Sequence, residues 1–251
     1  YFFILMKVLA IESSCDDTSF SVVSDDKSID FIKTINHRKF HKKHGGVIPE
    51  MAARQHLDIM DYLQKSIKKF DFKKIDAIAA TYGPGLIGGL IVGSSFAKGL
   101  SISRQKKLIP VNHLQAHLLS PRLTSNLSFP YLCLLVSGGN TALVIVKSPK
   151  KFVTLGSTID DSAGECFDKV SKALGLGYPG GPIIEKLALK GDHHKYKLPL
   201  PLTKVKNCNF SFSGLKTAAI DIINKNKNNK RFLENFCASF QYTVGEIFQK
   251  K

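Results

Sequence analysis

The chain uses one short grammar twice. LAIESSCDDTSFSVV (9–23) and LLVSGGNTALVIV (134–146) each run from an apolar strand through a tip of small polar residues into a second strand. An internal repeat limits the architecture more than any single motif, because each copy must bury its own apolar face. Around the first copy, KVLAIE (7–12), TSFSVVS (18–24) and SIDFIKTI (28–35) read as strands. Pro49 opens an amphipathic helix with apolar Met51, Leu57, Ile59, Met60, Leu63 and Ile67. DAIAAT (76–81), a Gly- and Ala-rich helix over 86–104 and the strand LIPVN (108–112) follow. The second half restarts with strands in 131–147 and 152–157, a helix over about 161–174, a short helix at 182–190, a Lys-rich connector and a last helix over about 230–249. Strands alternating with helices predict an α/β fold with a mixed sheet. Two β-β-β-α halves with small-residue tips are expected to face each other across a cleft, gripping a nucleotide's phosphates with backbone N–H groups. The second half lacks a counterpart to 76–122, so the reading expects a truncated chain.

The tips and their neighbours supply the candidate sites. In ESSCDDT (12–18), Glu12, Ser13, Asp16 and Asp17 could orient a nucleotide or a metal-bound phosphate; a plain hairpin turn fits them as well. SGGNT (137–141) lets backbone approach a phosphate without side chains in the way, or forms a tight Gly-Asn hairpin. TYGPGLIGG (81–89) leads into a helix whose N-terminus suits an anion, while Gly88, Gly89 and Gly93 suit close helix packing. DDSAGECFDK (160–169) carries Glu165, Asp168 and Lys169 on one helix, either toward ribose hydroxyls or toward solvent. YPGGP (178–182), with Glu185 beyond it, is a Gly-rich helix entrance. HRKFHKKHGG (37–46), with His37, His41 and His44, reads as an RNA-facing or simply solvated basic loop.

VNHLQAHLL (111–119) sets His113 and His117 four apart, on one face of a helix, where both imidazoles can reach one metal ion. The zinc-protease pattern needs Glu directly after the first His; Leu114 and Gln115 stand there instead, so the general base is absent. A metal that polarises substrate oxygens stays open, and a carboxylate would have to complete its ligands.

Composition narrows the setting. The net charge of +16 points to a polyanion such as RNA, unless it reflects a general bias toward Lys. Five cysteines without a CxxC pair indicate free thiols in a reducing compartment, hence a cytoplasmic protein. No run of apolar residues approaches a membrane span. Tyr1–Leu5 precede a natural-looking start at Met6-Lys7 and are too short for a signal peptide.

IESSCDDT (11–18), GGVIPEMAARQH (45–56), YGPGLIGGLIVG (82–93), HLQAH (113–117), LLVSGGNT (134–141), IDDSAGECFDK (159–169), LGYPGGP (176–182) and NFSFSGLKT (209–217) occur in order across nearly the whole chain. Together they closely resemble the bacterial and mitochondrial tRNA N6-adenosine threonylcarbamoyltransferases, the TsaD family, once labelled O-sialoglycoprotein endopeptidases. The resemblance implies an actin-like ATPase (ribonuclease H-like) fold, duplicated, with subdomains 1–128 and 129–251 and the second incomplete. It implies transfer of a threonylcarbamoyl group from threonylcarbamoyl-AMP to N6 of adenosine 37, in tRNAs reading codons that begin with A. By the same match, His113 and His117 look like ligands of one iron, Fe(2+), or zinc. Leu135, Val136, Ser137, Gly138 and Gly139 look like the substrate loop, and Asp168, Gly181 and Glu185 look like nucleotide contacts. Implied partners are tRNA with TsaB and TsaE in bacteria, or a homodimer of the mitochondrial type. The family's usual SGGHT is SGGNT here, with Asn140 in the His position. A C-terminal segment with an Asn for the nucleotide and an Asp for the metal is expected to be missing, leaving the 251-residue chain inactive with weak metal affinity. The rival readings are a small-molecule kinase of the same fold and a non-catalytic paralogue; the latter is implied to lack the metal histidines.

Overall fold

The computed structural model describes residues 5–37, 46–67, 71–226 and 231–251, apart from the side chains of Leu63 and Ile67. The basic segment 37–46 lies outside the described residues except for its ends, His37 and Gly46. The chain divides into two compact units, Tyr1–Asn126 and Leu127–Lys251.

In the first unit, β1 (Lys7–Glu12), β2 (Asp17–Ser24) and β3 (Ile29–Asn36) form an antiparallel meander, and β4 (Ala77–Gly83) and β5 (Lys107–Asn112) extend it in parallel. The order is β3-β2-β1-β4-β5, the mixed sheet that the alternating grammar predicts. Helices α1 (Pro49–Ile67) and α2 (Ile87–Ser103) connect the parallel strands. Leu9 and Ile11 of β1, Phe20 and Val22 of β2 and Ile78 and Ala80 of β4 point to one face, where Met60, Ala97 and Leu100 meet them. α1 buries Ala52, His56 and Met60, spaced i, i+4, i+8 along one stripe. The alternating partners Ala10, Glu12, Ala79 and Thr81 turn to the opposite face, around a cavity of about 180 Å³. Short helices α3 (His113–Leu119) and α4 (Pro121–Thr124) follow β5.

Gly89 and Gly93 set how closely α2 lies against the first hairpin tip. A Cβ on Gly89 would collide with the Ser13 carbonyl, and one on Gly93 with the Ser13 hydroxyl. The packing role suggested by the sequence is thus the one these two glycines fill.

The second unit opens with the antiparallel sheet β6 (Tyr131–Val136), β7 (Thr141–Ser148) and β8 (Lys151–Ser157), in the order β6-β7-β8. Helices α5 (Ala163–Ala173), α6 (Gly180–Ala188), α7 (Ser213–Lys225) and α8 (Phe232–Gln249) complete it. Its core joins Val170, Ile184, Phe212, Leu215, Phe236 and Phe240. Phe232, Phe236 and Phe240 recur every four residues on α8, which fixes its buried face.

The element α7 corrects the sequence reading, which assigned a Lys-rich connector there. Leu215, Ala219 and Ile223 form a buried i, i+4, i+8 stripe. Gly214 in the first turn and the Lys and Asn residues on the outer face obscure that period. All five cysteines are free thiols. Among the described residues, no helix is long and apolar enough to cross a membrane.

Candidate metal and nucleotide site

Three parallel strands of the first unit end side by side, and their carboxyl ends deliver Glu12 from β1, Thr81 from β4 and His113 just after β5. Such strand ends are where open α/β sheets place ligands. The Asn112 side chain caps α3 by accepting from the Gln115 amide at 3.0 Å, which starts the helix at His113. One turn on, His117 shares its face, and the two Nε2 atoms approach to 3.2 Å. Two imidazole nitrogens each ~2.1 Å from one ion stand roughly 3.0–3.4 Å apart between octahedral and tetrahedral angles, so this spacing fits a shared metal.

The other side of the His113 ring faces inward. Its Nδ1 lies 3.0 Å from the Ser14 hydroxyl and 3.5 Å from Glu12 Oε2. A carboxylate and hydroxyl there fix the proton on Nδ1 and leave the Nε2 lone pair directed outward, the arrangement usual for metal-binding histidines. Burial would raise the Glu12 carboxyl, but hydrogen bonds from His113, Ser14 and Thr81 outweigh it and hold the pKa at about 2. The Ser14 amide donates to Oε1 at 2.6 Å, and the Thr81 hydroxyl donates to Oε2. Burial and the neighbouring His113 ring lower the basicity of His117, favouring the neutral form that a metal needs. Among the described residues, no group of three or more His, Cys, Asp or Glu is arranged around one point. The residues present therefore fit two ligands of a metal, and Glu12 serves His113 rather than the ion.

The rest of ESSCDDT divides between structure and tip. Ser13 is buried and donates its hydroxyl to the Gly89 carbonyl at 2.9 Å. The Asp16 carbonyl accepts from the His37 amide at 3.0 Å. Deeper in, the Thr18 hydroxyl lies 2.7 Å from His56 Nδ1 and 3.0 Å from His37 Nε2, with both rings fully buried.

In the second unit the SGGN tip is pinned to the start of α5. Ser162 accepts from the Glu165 amide at 3.1 Å as the helix cap, and its hydroxyl donates to the Gly138 carbonyl at 2.7 Å. The Ala163 amide donates to the Thr141 hydroxyl at 2.9 Å. Within the tip, the Asn140 amide donates to the Ser137 hydroxyl at 3.0 Å, so residue 140 supports the turn through its backbone. A Cβ on Gly164 would collide with Ser137, whereas the positions facing Gly138 and Gly139 are open. Leu135 is buried and Val136 exposed, so Leu135 can reach a ligand only through its backbone.

Asp168 follows Gly164 by one turn and accepts from the Gly180 amide at 2.7 Å, holding the N-terminus of α6. Gly180 packs on Phe167, Gly181 faces open space, and exposed Glu185 lies one turn beyond it. One face of α5 thus gathers the glycine tip and the N-terminus of α6, two backbone features suited to phosphate oxygens. Glu165 instead pairs with Lys169 at 2.7 Å.

Residues that the sequence reading passed over complete both places. Asp160 accepts from the hydroxyls of Ser211 at 2.5 Å and Ser213 at 2.8 Å and from the Phe212 amide at 2.8 Å, which fixes the FSFSG turn before α7. Asp161 pairs with Lys169 at 3.3 Å and with Lys216. Their signal was the Asp-Asp dipeptide at a strand end; for Ser14 and Thr81, it was a hydroxyl beside each glycine- or carboxylate-bearing turn.

The family model for tRNA N6-adenosine threonylcarbamoyltransferase, TsaD, matches residues 31–251. A protein of that name from Orientia tsutsugamushi (strain Boryong) is 50% identical over 246 residues, covering 96% of this chain and 72% of the relative. Its namesake in Rickettsia peacockii (strain Rustic) is 50% identical, covering 98% and 73%. Among solved structures, (R)-2-hydroxyglutaryl-CoA dehydratase component A from Acidaminococcus fermentans aligns with TM-score 0.56 at 12% identity, over 97% of this chain and 76% of that one. The activator of 2-hydroxyisocaproyl-CoA dehydratase from Clostridium difficile aligns with TM-score 0.52 at 12% identity, over 98% and 74%. These likenesses show the actin-like ATPase fold. With half its residues shared over almost its full length and the family's pattern matched from residue 31 onward, the chain belongs to the tRNA N6-adenosine threonylcarbamoyltransferase family.

Proposed function

We propose that the protein transfers the threonylcarbamoyl group of threonylcarbamoyl-AMP to N6 of adenosine 37, in tRNAs that read codons beginning with A. The observation that carries this reading is the convergence of His113 and His117 at 3.2 Å, with Glu12 and Ser14 behind His113, in a chain of this family. A kinase of the same fold has no use for that pair. A bound ferrous iron, or zinc in its place, supplies Lewis-acid polarisation of a substrate oxygen.

The chain's own groups do the rest. His113 and His117 would hold such an ion through Nε2, with Glu12 and Ser14 favouring the proton of His113 on Nδ1. Ser137, Gly138 and Gly139, reached through Leu135 and Val136, offer backbone donors where charge develops on the phosphate and carbonyl oxygens. Asp168, Gly181 and Glu185 take the nucleotide part, and Ser13 and Asp16 shape the first tip. In the reaction the N6 amine attacks the carbamoyl carbonyl carbon, the bond from that carbon to the phosphate oxygen breaks, AMP leaves and the N6 proton is released. The charge of +16 favours the tRNA polyanion. Free thiols fit a cytoplasmic enzyme, working with TsaB and TsaE or as a homodimer.

The test supplies donor labelled in threonine and unmodified tRNA to the full-length protein, with and without those partners. Label in the tRNA of the wild type but not of His113→Ala supports the reading; unlabelled tRNA in every arm overturns it.

A further inference from the structure

On the second unit, the segment Lys190–Lys197 lies across α8 and presents three rings to solvent. The His193 ring lies 3.9 Å from His194 and 4.4 Å from Tyr242, centroid to centroid, tilted by 42° and 34°. Tyr242 is 46% exposed, and both histidines are exposed, so the cluster contributes little to the core. It is nonetheless held firmly. The Asp192 amide donates to Asn235 Oδ1 at 2.8 Å, and the Tyr196 amide donates to the Ser239 hydroxyl at 3.1 Å. Gly191 sits so close to α8 that a Cβ there would collide with the Glu234 carbonyl. An exposed ring cluster held in place this way, with no packing that requires it, offers aromatic faces to a flat partner.

The platform borders an open cavity of about 560 Å³, within the roughly 300–1,000 Å³ of small-ligand sites. Gln241 and Gln249 line it beside His193 and Tyr242, and each amide offers both a donor and an acceptor. Exposed Lys190, Lys195 and Lys197 flank the rings along the chain. Two of the acidic groups nearby are already engaged: Asp192 accepts from the His194 amide at 2.9 Å, and Glu246 pairs with Lys250 at 3.0 Å. Flat rings, paired amides and ammonium groups match the base face, base edge and phosphates of an unpaired nucleotide.

We propose that this face of α8 and the Lys190–Lys197 segment docks a single-stranded stretch of RNA, with one base stacked on an exposed ring face of the His193–Tyr242 pair, its edge met by Gln241 and Gln249, and its phosphates held by the three lysines. The proposal rests on the reading of the protein as a tRNA-modifying enzyme and names a surface of the second unit for that substrate.

Fluorescence anisotropy with labelled unmodified tRNA, and with a single strand of about a dozen nucleotides, tests it. Removing both rings in the double variant His193→Ala, Tyr242→Ala is expected to weaken binding about 5- to 150-fold, the equivalent of ~1–3 kcal/mol for one stacked base. The ring-keeping variant Tyr242→Phe should bind as the wild type does, which separates stacking from folding. Changing the three lysines to Gln should lower the dependence of log affinity on log salt by about 2. Unchanged affinity in the double Ala variant, or a loss confined to the Lys variant, overturns the docking surface. Ring-independent binding together with intact transfer to tRNA sinks this surface alone; ring-dependent binding without transfer in any protein sinks the enzymatic reading alone.

Discussion

Glu12 directs one carboxylate oxygen at Nδ1 of His113, 3.5 Å away, from the neighbouring end of the same sheet. That contact, with Ser14 at 3.0 Å, favours the tautomer of His113 with its proton on Nδ1. Glu12→Gln keeps the shape but removes the charge behind the ring. Metal affinity should fall about 10- to 100-fold, as for other partners of metal-binding histidines. Equilibrium dialysis against zinc or ferrous iron reads it directly, and equal affinity in the two proteins would show that Glu12 does not orient His113.

Two glycines of α2 should respond to one methyl group with opposite signs. Gly93→Ala drives a Cβ into the Ser13 hydroxyl and should cost about 1–3 kcal/mol by overpacking. Gly99 is exposed in the same helix with open space around its Cβ position, so Gly99→Ala should stabilise by about 0.5–1 kcal/mol. Urea titration of both variants provides the comparison; a shared sign would mean that helix propensity, not contact with the first tip, governs α2.

Thr18 bridges His56 and His37 beneath the first tip through one hydroxyl. Thr18→Val keeps the volume and removes that polar group from both buried rings, with an expected loss of about 1–3 kcal/mol. Thr18→Ser should retain most of the stability. The denaturant midpoint measures this, and a valine variant as stable as the wild type refutes the bridge.

Asp160, beside Asp161, contributes to the pH dependence expected of the second unit. Burial acts to raise its pKa, but the donors from Ser211, Phe212 and Ser213 prevail and lower it. Its folded value therefore lies below the unfolded value of about 3.9, so its stabilisation is fully present above that pH and is lost as pH falls through the folded value. Asp160→Asn should lower the melting temperature near neutrality and flatten its fall in acid. A variant that keeps the wild-type acid profile would assign that profile to other carboxylates.

Much of this was legible because periodicity survives burial. Leu9 and Ile11, and again Leu143 and Val144, announce strands whichever way the chain later packs, and the HLQAH spacing announces one helical face. What escaped depended on distant partners. Glu12 belongs to His113 only because β1 and β5 flank β4, an order that no local pattern encodes. Asp160 belongs to Ser211 and Ser213, which start a helix disguised by Gly214. Glu165, which the sequence left open between ribose hydroxyls and solvent, forms an exposed ion pair with Lys169.

The most direct test of the central claim is mass spectrometry of nucleosides from unmodified tRNA incubated with threonylcarbamoyl-AMP and the full-length protein, with and without TsaB and TsaE. The account predicts N6-threonylcarbamoyladenosine with the wild type and its loss with His113→Ala or His117→Ala. Unmodified adenosine with the wild type, or equal product with either histidine variant, would contradict it.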